Sequence, residues 1–208
     1  MESANEDTRQ GGRGARERIM KAASRLFYRE GINATGVERL ATEASVSKRT
    51  LYQHFPSKSA LISAYLNRMQ EDPNDPMHSM TPDSKQSARD QLLAIFDRPL
   101  PPGQLRGCPF HNAAIEVAVT MPDVHALVSA HKRHFIASLT AIAEEAGVID
   151  SRSLAEQLAI LYEGAAALGT CLDDPAPWTQ ARMAASIVID NALQTRTTSG
   201  EPQSARHQ

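Results

Sequence analysis

TGVERLATEASVSKRTLYQHFPSK, residues 35–58, is the stretch whose reading decides the fold. It reads as two short helices joined by a tight turn, with a further helix starting at its end. Ser47, Lys48, Arg49, Thr50, Tyr52, Gln53 and His54 surround a single apolar residue, Leu51. A short helix this polar makes a poor core and a good surface for meeting a polyanion. Glu43 is the one acidic neighbour that the order of residues brings into view.

Upstream, Ile19, Ala22, Ala23, Leu26 and Phe27 recur at helical spacing, so a helix is expected from about Gly14 to Glu30. Gly31 is its stop. Thr35 and Glu38 fit a capping box for the second helix, whose inner face is Val37, Leu40, Ala41 and Ala44. Ser45-Val46 is the turn. Ser47 caps the third helix, which Leu51 and Phe55 anchor inward. Pro56 ends it, and Ser57 caps a fourth helix through Leu61, Tyr65 and Met69. Residues 1–13 are Gly/Arg-rich and polar, and are expected to form a disordered arm.

Composition agrees with a soluble chain: 41% hydrophobic, 22% charged, net charge −2. The charge is uneven. Residues 1–70 hold 12 Lys/Arg and 7 Asp/Glu, a net +5, and the remainder holds 10 and 17, a net −7. A basic first third on an acidic body implies two jobs, the first involving a polyanion. Two cysteines, Cys108 and Cys171, are too few for a disulfide framework and lack metal-ligand spacing. No signal peptide or membrane span is read, so the expected location is cytoplasmic. No nucleophile–base set and no phosphate-cradling glycine loop is found. Neither an enzyme, a cofactor nor a metal site is therefore expected.

Residues 15–66 carry a motif in order: an apolar helix ending in Phe27-x-x-x-Gly31, then Thr35, V-S-x-x-T-L-Y-x-H-F at 46–55, and P-S-K at 56–58. This segment resembles the DNA-binding domain of the tetracycline-repressor (TetR) family. The resemblance implies that the helix after the turn enters the major groove of double-stranded DNA. Arg49 is the candidate for a bidentate guanine contact. Ser47, Lys48 and Gln53 offer further donors. Thr35, Thr50, Tyr52, His54 and Lys58 are implied to hold phosphates. Packing between helices is an alternative for Tyr52 and His54.

The fold class expected is all-α, with a three-helix helix-turn-helix domain, a helical regulatory and dimerisation domain, and about nine helices. The domains read as 14–70, with the helix-turn-helix at about 36–55, and 81–196. A disordered tail follows at 197–208. Thr81-Pro82 reads as a helix start, Pro109 opens a short helix, and Asp123–Ala146 is a long one. Ser153-Leu154-Ala155-Glu156 reads as a second capping box.

The resemblance implies a homodimer through helices at about 153–171 and 178–195, with Gly164-Ala165-Ala166-Ala167 allowing close approach. It also implies a small-molecule or electrophile inducer, for which Cys108, Phe110, His111, His131, His134, Phe135 and Tyr162 are the candidate contacts. The expected function is a ligand-responsive regulator, a repressor at a palindromic operator. An activator and an effector-independent DNA binder are the alternatives.

Overall fold

The computed structural model describes residues 4–72, 75, 77, 80, 86–97, 106–117 and 119–198, with side chains from residue 14 to 194. Among them, regular structure is helical throughout: α1 (Ala4–Arg29), α2 (Val37–Glu43), α3 (Lys48–His54), α4 (Lys58–Gln70), α5 (Ala88–Ala94), α6 (Pro109–Val117), α7 (Pro122–Glu145), α8 (Ser151–Leu172) and α9 (Ala176–Thr198). The all-α expectation holds. α1 differs from the expected arm at 1–13, because its helix runs back to Ala4. Gly11, Gly12 and Gly14 weaken a helix without ending it, at roughly 1 kcal/mol each relative to Ala. The expected start at Thr81-Pro82 and the tail after Thr198 lie outside the described residues.

Two compact units are present, Met1–Asp72 with Cys108–Ala130, and Pro73–Gly107 with His131–Gln208. They do not follow the linear boundary expected near residues 70–80. The reason lies in α6 and the start of α7. Phe110, Ala113, Val117, Val124 and Val128 are buried in one core with Leu26, Leu40, Leu61 and Tyr65.

In the first unit, α1 supplies the floor through Ile19, Ala23, Leu26 and Phe27, all buried. Phe27 meets Tyr65 of α4 edge-on, with ring centroids 5.6 Å apart. Burying a ring of this size is worth roughly 1.5–3 kcal/mol. α2 closes with Ser45 in the left-handed region at φ 52°. Ser45 N donates to Thr42 O and Val46 N to Ala41 O, which satisfies the last carbonyls and turns the chain sharply into α3.

In the second unit, α8 and α9 form an antiparallel hairpin turned at Asp173, φ 49°. A Cβ on Gly169 would meet Asp174 O at 3.3 Å and Trp178 Nε1 at 3.4 Å, so glycine lets the indole seat. Tyr162 packs against Trp178 and Phe135 at 5.1 and 5.2 Å between centroids. Arg89 grips Asp190 with two bonds of 2.6 and 2.9 Å, tying α5 to α9. The cap of α8 is Asp150, whose carboxylate accepts from Ser153 N at 3.2 Å. This corrects the expected box at Ser153, because the helix starts a turn earlier, where buried Ser151 donates to Val148 O at 2.7 Å.

Candidate nucleic-acid interface

α3 is short, and its placement rests on few groups. Ser47 Oγ accepts from Thr50 N at 3.0 Å and lies 2.8 Å from Thr50 Oγ1. Leu51 and Phe55 are buried at 0% and 3% exposure, which fixes the inner side of the helix. The Arg16 guanidinium lies 5.2 Å above the Phe55 ring. With that side fixed, the 3.6-residue period turns Lys48, Arg49, Tyr52 and Gln53 outward, all exposed. Ser47 is exposed too, and Thr50 and His54 are half-buried. Seven of the nine residues expected at this interface therefore gather on or beside one face.

The other two are placed differently. Thr35 is fully buried, and its hydroxyl donates to Gly31 O at 2.7 Å. It does not cap α2; the N-cap is Gly36, which has no side chain to offer. A phosphate has no access to a hydroxyl so placed. Lys58 is half-buried, and its ammonium donates to Ile32 O at 2.6 Å. Burial draws its pKa below the usual lysine range, against the opposing pull of Glu116. Its lysine charge serves first to hold α4 to the chain before α2.

Charge on this face differs from the sequence reading as well. Glu43 is occupied by Arg25 in an ion pair. The acid that reaches α3 is Glu38, whose Oε1 accepts from Lys48 Nζ at 2.5 Å. That bond holds the Glu38 carboxyl below its ordinary range and raises the Lys48 ammonium above its own. Arg49 has no ion-pair partner among the described residues. Its five donors stay available in a planar fork that matches guanine O6 and N7.

The pairing makes a measurable expectation. Glu38→Ala releases Lys48 to phosphate, so affinity for random duplex DNA rises. The dependence of log K on log[salt] steepens by about 0.9 per reading head. Fluorescence anisotropy across a KCl series reads both quantities. An unchanged slope would mean that Lys48 reaches phosphate with Glu38 in place.

The candidate inducer contacts are divided between the two units. Cys108 and Phe110 are buried and His111 half-buried in the first unit. His131, Phe135 and Tyr162 are buried in the second, where His134 is exposed. His131 Nε2 lies 3.4 Å from Asp75 Oδ2, both side chains nearly buried. A groove of about 430 Å³ in the second unit is lined by Val148, Leu154, Gln157, Val188 and Asn191 among others. None of the seven candidates lines it. Three His, Cys, Asp or Glu side chains do not converge on a metal-sized space anywhere among the described residues. No described helix is long and apolar enough to cross a membrane.

Residues 19–65 match the family model described as "Bacterial regulatory proteins, tetR family", and residues 87–185 match "Tetracyclin repressor-like, C-terminal domain". The chain belongs to the tetR family. This is a family of DNA-binding transcriptional regulators, not of enzymes. The transcriptional activator FasR of Mycolicibacterium smegmatis is 36% identical over 85 residues, 39% of this chain and 39% of FasR. The regulator LmrA of Bacillus subtilis is 40% identical over 58 residues, 27% of this chain and 31% of LmrA. The chain thus aligns with well under half of these tetR-type relatives. A tetR-family regulator from Streptomyces coelicolor, SCO4454, superposes with TM-score 0.71 at 28% identity, covering 88% of this chain and 96% of that one.

Sequence reasoning missed Glu38 as a partner of Lys48. It also missed Asn33 and Glu116, which meet although they are 83 positions apart: Asn33 N donates to Glu116 Oε2 at 2.7 Å. For Glu38, its place ten residues before Lys48 was the available signal. For Glu116 the sequence carries no local signal.

Proposed function

We propose that this tetR-family regulator binds a palindromic operator as a homodimer and represses transcription until a small molecule releases it. The observation that carries the reading is the outward face of α3, where Lys48, Arg49, Tyr52 and Gln53 stand together on a helix anchored by Leu51 and Phe55. Such a face fits the major groove, with Arg49 reading a base and Tyr52, Gln53 and Thr50 gripping the backbone.

Dimerisation is supported by α8 and α9. Ile160, Leu168 and Leu172 of α8 are 71%, 55% and 63% exposed, and Met183 and Ile187 of α9 are 58% and 62% exposed. On α8, Gly164 falls between them at helical spacing, and a Cβ there would meet nothing within 4 Å. Apolar side chains in a stripe, with a gap among them, suit a second copy of the same hairpin. Two reading helices roughly 34–36 Å apart would then meet half-sites one DNA turn apart.

Enrichment of random duplexes on the purified chain tests the reading. A palindrome with half-sites about one turn apart is the expected product. Recovery of no preferred sequence would refute it. Activation is the second reading, favoured by the name of FasR, and promoter fusions carrying the recovered site decide between the two signs. Regulation without an effector is separated by screening metabolites for release of that site. The proposed place of action is the cytoplasm.

An electrophile as inducer requires access to a thiol. Cys108 is 7% exposed, whereas Cys171 is exposed on α8. Cys171 shares the proposed dimer stripe of α8, so with the dimer opened by Leu168→Asp iodoacetamide is expected to modify Cys171 at least tenfold faster than Cys108, as read by peptide mass spectrometry. If Cys108 is the faster thiol, a sensing role gains its first support. Release of DNA by oxidant from the wild type but not from Cys108→Ser would then complete it.

A further inference from the structure

We propose that Glu116 of α6 is a positioning residue for DNA reading, acting on α2 and α3 through Asn33. The proposal rests on the DNA-reading role of α3 and adds a residue far from it. α2 has no side-chain cap of its own, since Gly36 stands at its N-cap. Its entrance is therefore set by the segment Gly31–Thr35. Two grips on that segment come from nearby in the chain: Thr35 Oγ1 donates to Gly31 O at 2.7 Å, and Lys58 Nζ donates to Ile32 O at 2.6 Å. The third comes from α6. Asn33 N donates to the Glu116 carboxylate at 2.7 Å, and Asn33 Nδ2 donates to Glu116 O at 2.9 Å.

Gly31 shows how closely the carboxylate is built in. At φ +97°, it holds a conformation that L side chains rarely adopt, and a Cβ there would meet the two Glu116 oxygens at 3.1 and 3.2 Å. The support under Glu116 is rigid, because Phe110, Ala113 and Val117 of α6 are buried at 1% or less. Just beyond α6, Asp123 accepts from Ser59 of α4, a second tie between the same parts of the unit. A charged acceptor on a backbone N–H makes one of the stronger hydrogen bonds available to a loop. α3 follows α2 through a closed turn at Ser45, so a shift at the entrance of α2 is carried into the reading face. Glu116 lies within residues 87–185, the part matched to the family's C-terminal domain, yet its bonds set the pose of the N-terminal reader.

The test uses the full chain, the palindrome enriched by the wild type and a scrambled duplex of equal length. Glu116→Ala is expected to lower palindrome affinity roughly three- to tenfold. It should change affinity for the scrambled duplex less than twofold, with helix content and sedimentation unchanged. Glu116→Gln keeps an oxygen that accepts from Asn33 N and is expected to bind within twofold of wild type. Should Glu116→Ala fail to fold, Asn33→Ala removes the second bond from the other side and is expected to lose palindrome affinity selectively. Equal losses on both duplexes, wild-type affinity in the Ala variants, or failure of Gln to restore binding would each overturn the proposal. A wild type with no preferred duplex would instead remove the DNA-reading role beneath it.

Discussion

Leu168→Asp and Ile187→Asp are each expected to leave the chain monomeric and to lower affinity for the palindrome by about 10²–10⁴. Both residues are more than half exposed and lie on α8 and α9, so neither change disturbs the core of one protomer. In the proposed dimer a carboxylate there would be buried against the apolar stripe of a second copy. Loss of the dimer removes the second reading head, and with it the high effective concentration at the second half-site. Gly164→Trp makes the same point by size, since it fills the open space beside the helix. Sedimentation velocity measures the assembly, and circular dichroism confirms that the helices remain. A variant that still sediments as a dimer would move the interface away from α8 and α9.

Arg49→Ala is expected to weaken binding to the palindrome far more than to random DNA. A bidentate arginine–guanine contact is worth ~1–3 kcal/mol of discrimination, and a dimer makes two of them. The combined loss is on the order of 2–6 kcal/mol if the half-sites act independently. Random DNA loses only the nonspecific attraction of one charge per reading head, which raised salt reduces further. Arg49→Lys keeps the charge and loses the fork, so it should behave as Ala does on the palindrome and as wild type on random duplex. Equal losses on both DNAs for Arg49→Ala would assign Arg49 to phosphate grip.

The end of α1 and the outline of α3 and α4 were legible because their signals are local. Ser47 and Ser57 sit three residues before the amides that they cap, and Leu51 and Phe55 sit one turn apart. Where two local signals competed, the sequence could not rank them. Asp150 and Ser153 both suit a cap, and burial of Ser151 decided for the earlier one. Thr35 fits a capping box on paper, but Gly36 takes the N-cap position and the Thr35 hydroxyl turns back to donate to Gly31 O. Glu38, thereby released from the box, found Lys48. The membership of α6 in the first unit was not legible at all. Its apolar residues suit any core, and only three-dimensional packing places Phe110 and Val117 beside Leu61 and Tyr65.

The meeting of Asn33 with Glu116 also orders events during synthesis. A ribosome that has made the first 72 residues has supplied every side chain of the DNA-facing surface but not the helix that completes its core. Phe110, Ala113 and Val117 are still to come, and the groups that they cover on α4 stay wet until then. A nascent or prematurely ended chain therefore carries a reader that is incompletely packed. Full packing of the first unit waits on translation through α6, whose last residue is Val117.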